Sequence, residues 1–276
     1  MEWTLRSGER IPAMGFGTYQ TQDTALLREA VRAGFRYFDT ASFYGTEEVL
    51  GEALSGSGLG REEYLVATKL WKTEMGAERA REALENSLRR LGLEYVDFYL
   101  IHWPKPAPDA AGWEELDLET WAAMADLQRE GKVRHIGVSN FLPHHLENLV
   151  KSGAPVPEVD QIEFHPGYLQ RETLDYCRAR GILPQAWSPL GRRRMLEHPA
   201  VAALAEKYGA SPAQICLGFA LEMGVMPLPK ASSYERMREN LAAQELVLSP
   251  EDVENLAAME QAGWSGEHPD RPRVRT

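Results

Sequence analysis

The sequence predicts an α/β fold: a single (β/α)8 barrel with an N-terminal β-hairpin and extra helices. Three observations predict it. Eight short apolar segments alternate with stretches whose apolar residues recur at helical spacing, the pattern of a parallel sheet wrapped by helices. The length of 276 residues is one that α/β barrels reach as one domain. No linker, low-complexity tract or shift of composition divides the chain, so residues 1–276 are expected to form one domain.

In chain order, residues 3–12 read as a hairpin turning at Ser7-Gly8-Glu9. Residues 13–18 form the first strand. Ala25, Leu26, Leu27, Ala30 and Val31 mark the first helix, which Gly34 ends. Residues 37–39 form strand two and residues 47–54 helix two. Strand three covers residues 64–69, and a long helix over 77–91 closes at Gly92. Strand four covers 95–101. A loop rich in Pro and Trp then runs over 103–117, before a helix over 120–130. Strand five (133–138), a helix (143–152), strand six (158–163), a helix (172–180) and strand seven (182–187) continue the alternation. Two helices, 199–208 and 212–223, precede strand eight (225–229), and helices over 236–243 and 250–259 follow it. The Pro- and Arg-rich residues 268–273 are expected to form a loosely packed end.

Hydrophobic residues make up 43% of the chain, enough at this length to fold without disulfides or a metal. The net charge of −11 argues against nucleic acid as a partner, since phosphate binding needs a basic surface. Cys177 and Cys216, each in an amphipathic helix, are expected as buried free thiols in a reducing compartment. No apolar run reaches ~18 residues, so no membrane span is expected. Met1-Glu2-Trp3-Thr4 does not begin a signal peptide, and a cytoplasmic protein is expected.

Six strands end in polar groups: Asp39, Lys69, His102, Ser139-Asn140, Ser188 and Lys230. Barrel active sites are built at that end of the strands. Tyr44 follows Asp39 by five residues. A free tyrosine has a pKa of about 10 and is a weak proton donor. An ammonium at Lys69 is expected to lower it, with Asp39 holding the lysine and His102 orienting or polarising a carbonyl oxygen. Proton donation to that oxygen makes sense if something attacks the carbon, and hydride from a reduced nicotinamide is the natural candidate. No Rossmann fingerprint is present: Gly56-Ser57-Gly58-Leu59-Gly60 has the wrong spacing and follows a helix. A G-x-S-x-G elbow is also missing.

These residues resemble the aldo-keto reductases, especially short microbial members similar to 2,5-diketo-D-gluconate reductases. Gly34-Phe35-Arg36, Asp39-Thr40-Ala41, Tyr44-Gly45, Glu47 and Leu50-Gly51 follow the family's first signature. Tyr37 stands where a smaller residue or histidine is usual. The second signature is matched by Gly131-Lys132-Val133-Arg134 and by Ile136 to Phe141, and Leu228-Pro229-Lys230 matches the third in part. The resemblance implies a TIM barrel and NADPH-dependent reduction of aldehydes and ketones, with NADH as the weaker alternative. It implies Asp39, Tyr44, Lys69 and His102 as catalytic residues, with Tyr44 the general acid. Ser139, Asn140 and Gln161 match the residues that hold the nicotinamide carboxamide, and Trp187 the ring stacked on it. Ser188, Leu190 and Gly191 match the pyrophosphate loop. Lys230, Arg236, Glu239 and Asn240 match the adenosine end, where the basic pair suits a 2′-phosphate. Ala231 replaces a usual hydroxyl residue, which weakens the NADP preference without reversing it.

Tyr19 and Trp103 are expected to line the substrate cleft. For Phe43 and Trp71, packing and substrate contact stand equal. Arg192-Arg193-Arg194 reads either as a cover over the pyrophosphate or as a solvated loop. His144 and His145 are adjacent rather than at metal-ligand spacing and are read as surface residues. No metal is expected, since His165, His198 and His268 have no partners in sequence. A monomer acting on a small-molecule carbonyl substrate is expected, its specificity set by residues 103–117 and the tail after Gly263. Two other readings carry different tests: a catalytically weak nicotinamide-nucleotide sensor or scaffold on the same barrel, and a phosphate-handling lyase or isomerase that binds no nicotinamide.

Overall fold

The structure, a computed structural model, describes residues 1–273. It opens with an antiparallel hairpin, β1 (Glu2–Thr4) and β2 (Arg10–Pro12). Eight parallel strands follow: β3 (Phe16–Gly17), β4 (Tyr37–Asp39), β5 (Leu65–Leu70), β6 (Val96–Ile101), β7 (Val133–Ser139), β8 (Val159–Glu163), β9 (Leu183–Trp187) and β10 (Met226–Pro227). Each pairs with the next in sequence, and the sheet curls in a TIM-barrel-like manner. Two backbone hydrogen bonds join its edges: Gly15 N–H donates to Pro227 O and Gly17 N–H to Pro229 O, both at 3.1 Å.

The helices are α1 (Thr24–Ala33), α2 (Glu47–Ser55), α3 (Ala77–Leu91), α4 (Trp113–Arg129), α5 (Pro143–Lys151), α6 (Arg171–Arg180), α7 (Pro199–Tyr208), α8 (Pro212–Glu222), α9 (Tyr234–Ala242) and α10 (Pro250–Ala257). Helix α1 shows how sequence sets the limits. Asp23 accepts from Ala25 N and Leu26 N at the start, and Gly34 ends the helix at φ 116°. Among the described residues no helix is long and apolar enough to cross a membrane.

Side chains alternate across each strand, so the sheet has an inner set and an outer set. Leu27, Leu50, Leu84, Leu88 and Trp121 from the helices pack with Phe38, Val66, Tyr99 and Val138 from the strands. The inner set includes Tyr37, Ala67, Phe98, Leu100, Val159, Met226 and Leu228, joined by Leu5 and Ile11 beside the hairpin. Two positions farther along, the same inward alternation delivers Asp39, Lys69, His102 and Gln161. Tyr37, the unusual residue of its signature, is wholly buried. Gly15 makes the room: a Cβ there would sit 2.6 Å from the Tyr37 ring. The Tyr37 hydroxyl accepts from Gln185 Nε2 at 3.0 Å.

Several expectations need correction. The strands expected at 13–18 and 225–229 have ladders of only two residues each. Pro227 and Pro229 have no N–H to donate, so their seam is sparse. The loop expected over 103–117 is partly helix. Gly112, at φ 70°, turns the chain into α4, and Glu114 and Glu115 favour its first turn. The tail is not loose as far as it is described. Pro269 and Pro272 are buried and Asp270 lies 2.9 Å from His144 Nε2, and just before them Ser265 donates from N (2.8 Å) and Oγ (2.7 Å) to the Glu163 carboxylate. His145 is not a surface residue; it is wholly buried while His144 is exposed.

Candidate active site

β4 ends at Asp39, and a single 3-10 turn over Ser42–Tyr44 carries Tyr44 over the mouth of the sheet. Lys69, the fifth residue of β5, rises beside it. Its Nζ donates to Asp39 Oδ1 at 2.7 Å, to Thr40 O at 2.9 Å and to the Tyr44 hydroxyl at 3.4 Å. Lys69 is fully buried, so this ammonium is out of water and fixed by its acceptors. Gln161 Nε2 donates to the other Asp39 oxygen at 2.8 Å. Asp39 therefore binds Lys69 and Gln161, and Lys69 links it to the Tyr44 hydroxyl.

The electrostatics reverse one expectation. Burial pushes the Tyr44 phenol well above its ordinary value, and Asp39 and Tyr19 add to the rise. Burial also pulls the Lys69 pKa down, and Asp39 opposes that fall. Tyr44 is thus held as a neutral phenol rather than tuned toward ionisation. Burial, followed by the charges of Lys69 and Lys72, holds His102 well below the usual histidine range. The His102 ring meets the Tyr44 ring edge-on with centroids 5.5 Å apart. Among the described residues its Nδ1 is buried without a hydrogen-bond partner. An N–H is the costlier group to leave orphaned, so the neutral ring keeps its proton on Nε2.

A cleft of about 820 Å³ extends from these residues over the strand ends. Tyr19, Phe43, Trp71 and Trp103 all line it. Phe43 and Trp71 stack with centroids 3.9 Å apart, so packing and cleft-lining coincide in that pair. Ser139, Asn140, Gln161, Trp187, Ser188, Leu190, Lys230, Arg236, Glu239 and Asn240 line the rest. Gly191 does not. It is buried at φ 55°, and a Cβ there would meet Met195 at 2.8 Å, so its place is in the packing of the loop. Arg192 and Arg193 reach the cleft wall, with the Arg192 guanidinium 5.9 Å from the Trp187 ring.

Trp187 is set by its indole N–H, which donates to Asn140 Oδ1 at 2.8 Å. The Asn140 amide also donates to His102 O (3.0 Å) and Ser139 Oγ (3.1 Å). At φ 63° Asn140 takes the left-handed conformation that asparagine tolerates. It ties the aromatic plate to the strand ends. Gln161 turns its amide donors to Asp39 and Gln185, which leaves its carbonyl oxygen as the end suited to an amide donor. At the far end Arg236 donates to Ser232 Oγ at 3.1 Å, next to Ala231, and Lys230 donates to the carbonyls of Tyr19 and Gln20. Amide-binding groups, an aromatic plate and a distant basic pair fit the parts of a nicotinamide dinucleotide phosphate in order.

The tail closes one side of the cleft. Glu267 and Arg273 line it, 3.5 Å apart, and Lys72 donates to the Arg273 carbonyl. The sequence pattern of residues 264–273 gave no hint of these long-range contacts. Asp270 sits between two histidines, 2.9 Å from His144 Nε2 and 3.1 Å from His145 Nε2. These atoms could hold a cation by position, although the residues are adjacent in sequence. However, His145 Nδ1 accepts from Leu142 N–H at 3.0 Å, which puts the ring proton on Nε2, facing Asp270. A metal would have to displace that proton, so the geometry favours a latch that holds the tail.

The family model for the aldo/keto reductase family matches residues 13–261. The chain is 38% identical to the glyoxal reductase of Bacillus subtilis (strain 168), over 96% of this chain and 95% of that protein. It is 36% identical to the methylglyoxal reductase DkgA of Escherichia coli O157:H7, over 97% and 96%. Among solved structures, a Gox0644 variant in complex with NADPH superposes with a TM-score of 0.91 at 33% identity, covering 99% of this chain and 98% of that one.

Proposed function

The chain belongs to the aldo/keto reductase family, and we propose that it is a single-domain, closed (β/α)8 barrel enzyme that uses NADPH to reduce aldehydes and ketones to alcohols. One observation carries the reading. Lys69 donates to the Tyr44 hydroxyl oxygen, so the phenol's own proton is turned away from the lysine. A carbonyl oxygen in the cleft beside His102 is its natural acceptor.

Ser139, Gln161 and Trp187 hold the nicotinamide, with Asn140 fixing the indole. Lys230 and Arg236 hold the 2′-phosphate, with Ser232 compensating for the hydroxyl that Ala231 lacks. A bound nicotinamide supplies the hydride. His102 donates from Nε2 to the substrate oxygen and orients it. Tyr44 delivers its proton to that oxygen as negative charge develops there. The Lys69 ammonium stabilises the phenolate left behind, and Asp39 keeps Lys69 in place. Small dicarbonyls are favoured as substrates, because two relatives bear the names glyoxal reductase and methylglyoxal reductase. 2,5-Diketo-D-gluconate remains in the same chemical class.

The test is a panel of glyoxal, methylglyoxal, 2,5-diketo-D-gluconate, an aromatic aldehyde and an aldose, each with NADPH and with NADH. The expected result is consumption of NADPH with at least one dicarbonyl, a higher KM for NADH, and quenching of tryptophan fluorescence on adding NADPH. Quenching without turnover of any carbonyl would instead support a nucleotide sensor. No quenching and no turnover would remove the nicotinamide reading altogether.

A further inference from the structure

The interior of the sheet holds a run of polar contacts that the proton transfer does not use. Tyr37 and Asp39 point inward from β4, two residues apart. Gln161 and Gln185 are direct partners in the ladder between β8 and β9. β4 pairs with β3 and β5, so its bonds to β8 and β9 cross the interior of the curled sheet. Gln161 Nε2 donates to Asp39 Oδ2 at 2.8 Å and to Gln185 Oε1 at 3.4 Å. Gln185 Nε2 donates in turn to the Tyr37 hydroxyl at 3.0 Å and to Met226 Sδ, a weak acceptor, at 3.5 Å. Tyr37, Gln161 and Gln185 are all buried. Burial, followed by the Asp39 charge, holds the Tyr37 phenol well above its ordinary value. Among the described residues Gln161 lines the cleft, whereas Tyr37 and Gln185 lie beneath it.

We propose that Tyr37 is a positioning residue for the nicotinamide: acting through Gln185, it locks the Gln161 amide so that its carbonyl oxygen stays turned to the carboxamide. The proposal rests on the cofactor reading above and gives the unusual residue of the first signature a task. A carboxylate only accepts, so Asp39 fixes which end of the Gln161 amide faces it. One hydrogen bond still lets the amide turn about that contact. Its second N–H, held by Gln185 Oε1, fixes the amide plane and with it the direction of the carbonyl oxygen. Gln185 presents its oxygen there because Tyr37 engages its nitrogen. A turned Gln185 would set two N–H donors against each other in a buried place, which is costly.

The experiment measures by calorimetry the binding of NADPH and of 2′,5′-ADP, which carries the adenosine and the 2′-phosphate but no nicotinamide. Tyr37→Phe removes one hydroxyl and keeps the ring that packs against Phe98 with centroids 5.3 Å apart. It should weaken NADPH binding about three- to tenfold and leave 2′,5′-ADP binding unchanged. Gln185→Met keeps the length of the side chain and should weaken NADPH binding at least as much, again without effect on 2′,5′-ADP. The double variant should lose no more than Gln185→Met alone, because Tyr37 acts through Gln185. If one single variant does not fold, the other decides by the same comparison of ligands. Equal NADPH affinity in wild type and variants overturns the proposal and leaves the reductase reading standing. So does equal weakening of both ligands, which is what a merely structural role would give, and so do additive losses in the double variant. Failure of the wild type to bind NADPH overturns both.

Discussion

Tyr44→Phe is expected to lose roughly 10²- to 10⁴-fold in kcat for a simple aldehyde while binding NADPH as the wild type does. The substitution removes one hydroxyl and nothing else. Tyr44 is half-buried, its ring packs edge-on against Tyr19 at 4.9 Å, and a phenyl ring keeps that contact. Among the described residues, the Tyr44 hydroxyl accepts from Lys69 and makes no hydrogen bond to the groups that would hold the nicotinamide. The loss should therefore appear in kcat, with the fluorescence titration by NADPH unchanged. If Tyr44→Phe reduces the aldehyde at the wild-type rate, the proton comes from elsewhere.

Lys69→Met should lose activity on a similar scale and should also destabilise the fold. Lys69 and Asp39 form a buried pair at 2.7 Å, with side chains 0% and 5% exposed. Removing the cation leaves a buried carboxylate with, among the described residues, only Gln161 as side-chain donor. Breaking such a pair costs about 3–5 kcal/mol. Urea unfolding of the variant should show a loss of that order, and Asp39→Asn added to Lys69→Met should restore part of it. Activity should not return in the double variant, because the phenolate still lacks its cation. Equal stability of wild type and Lys69→Met would mean that Asp39 is not held by Lys69.

Much of this arrangement was legible in the sequence, for local reasons. Short apolar strands lead to Asp39, Lys69 and His102, and the curled sheet turns a shared strand-end position into a shared place. The seam was less legible, since Pro227 and Pro229 interrupt the donor pattern that marks a strand. The tail after Gly263 was legible as a segment bearing on specificity, but its packing was not. Ser265 meets Glu163 across 102 residues, and Asp270 meets His144 across 126, with no local pattern to signal either contact. The direction of the Tyr44 shift was misjudged for a related reason. Lys69 and Asp39 can be named from sequence, but the depth at which the phenol sits is a property of the assembled cleft.

The central claim is that Tyr44 acts as a neutral phenol whose proton Lys69 leaves available to the substrate. The measurement that tests it most directly is the pH dependence of hydride transfer in a single turnover, with NADPH bound and an uncharged aldehyde at saturation. Burial raises Tyr44 above its ordinary value of about 10 and lowers His102 below about 6.5, so neither group should change charge between them. The account predicts a rate constant that stays level from about pH 6.5 to about pH 9. A rate that falls about tenfold per pH unit through that range would show Tyr44 or Lys69 already losing its proton near neutrality, and would contradict it.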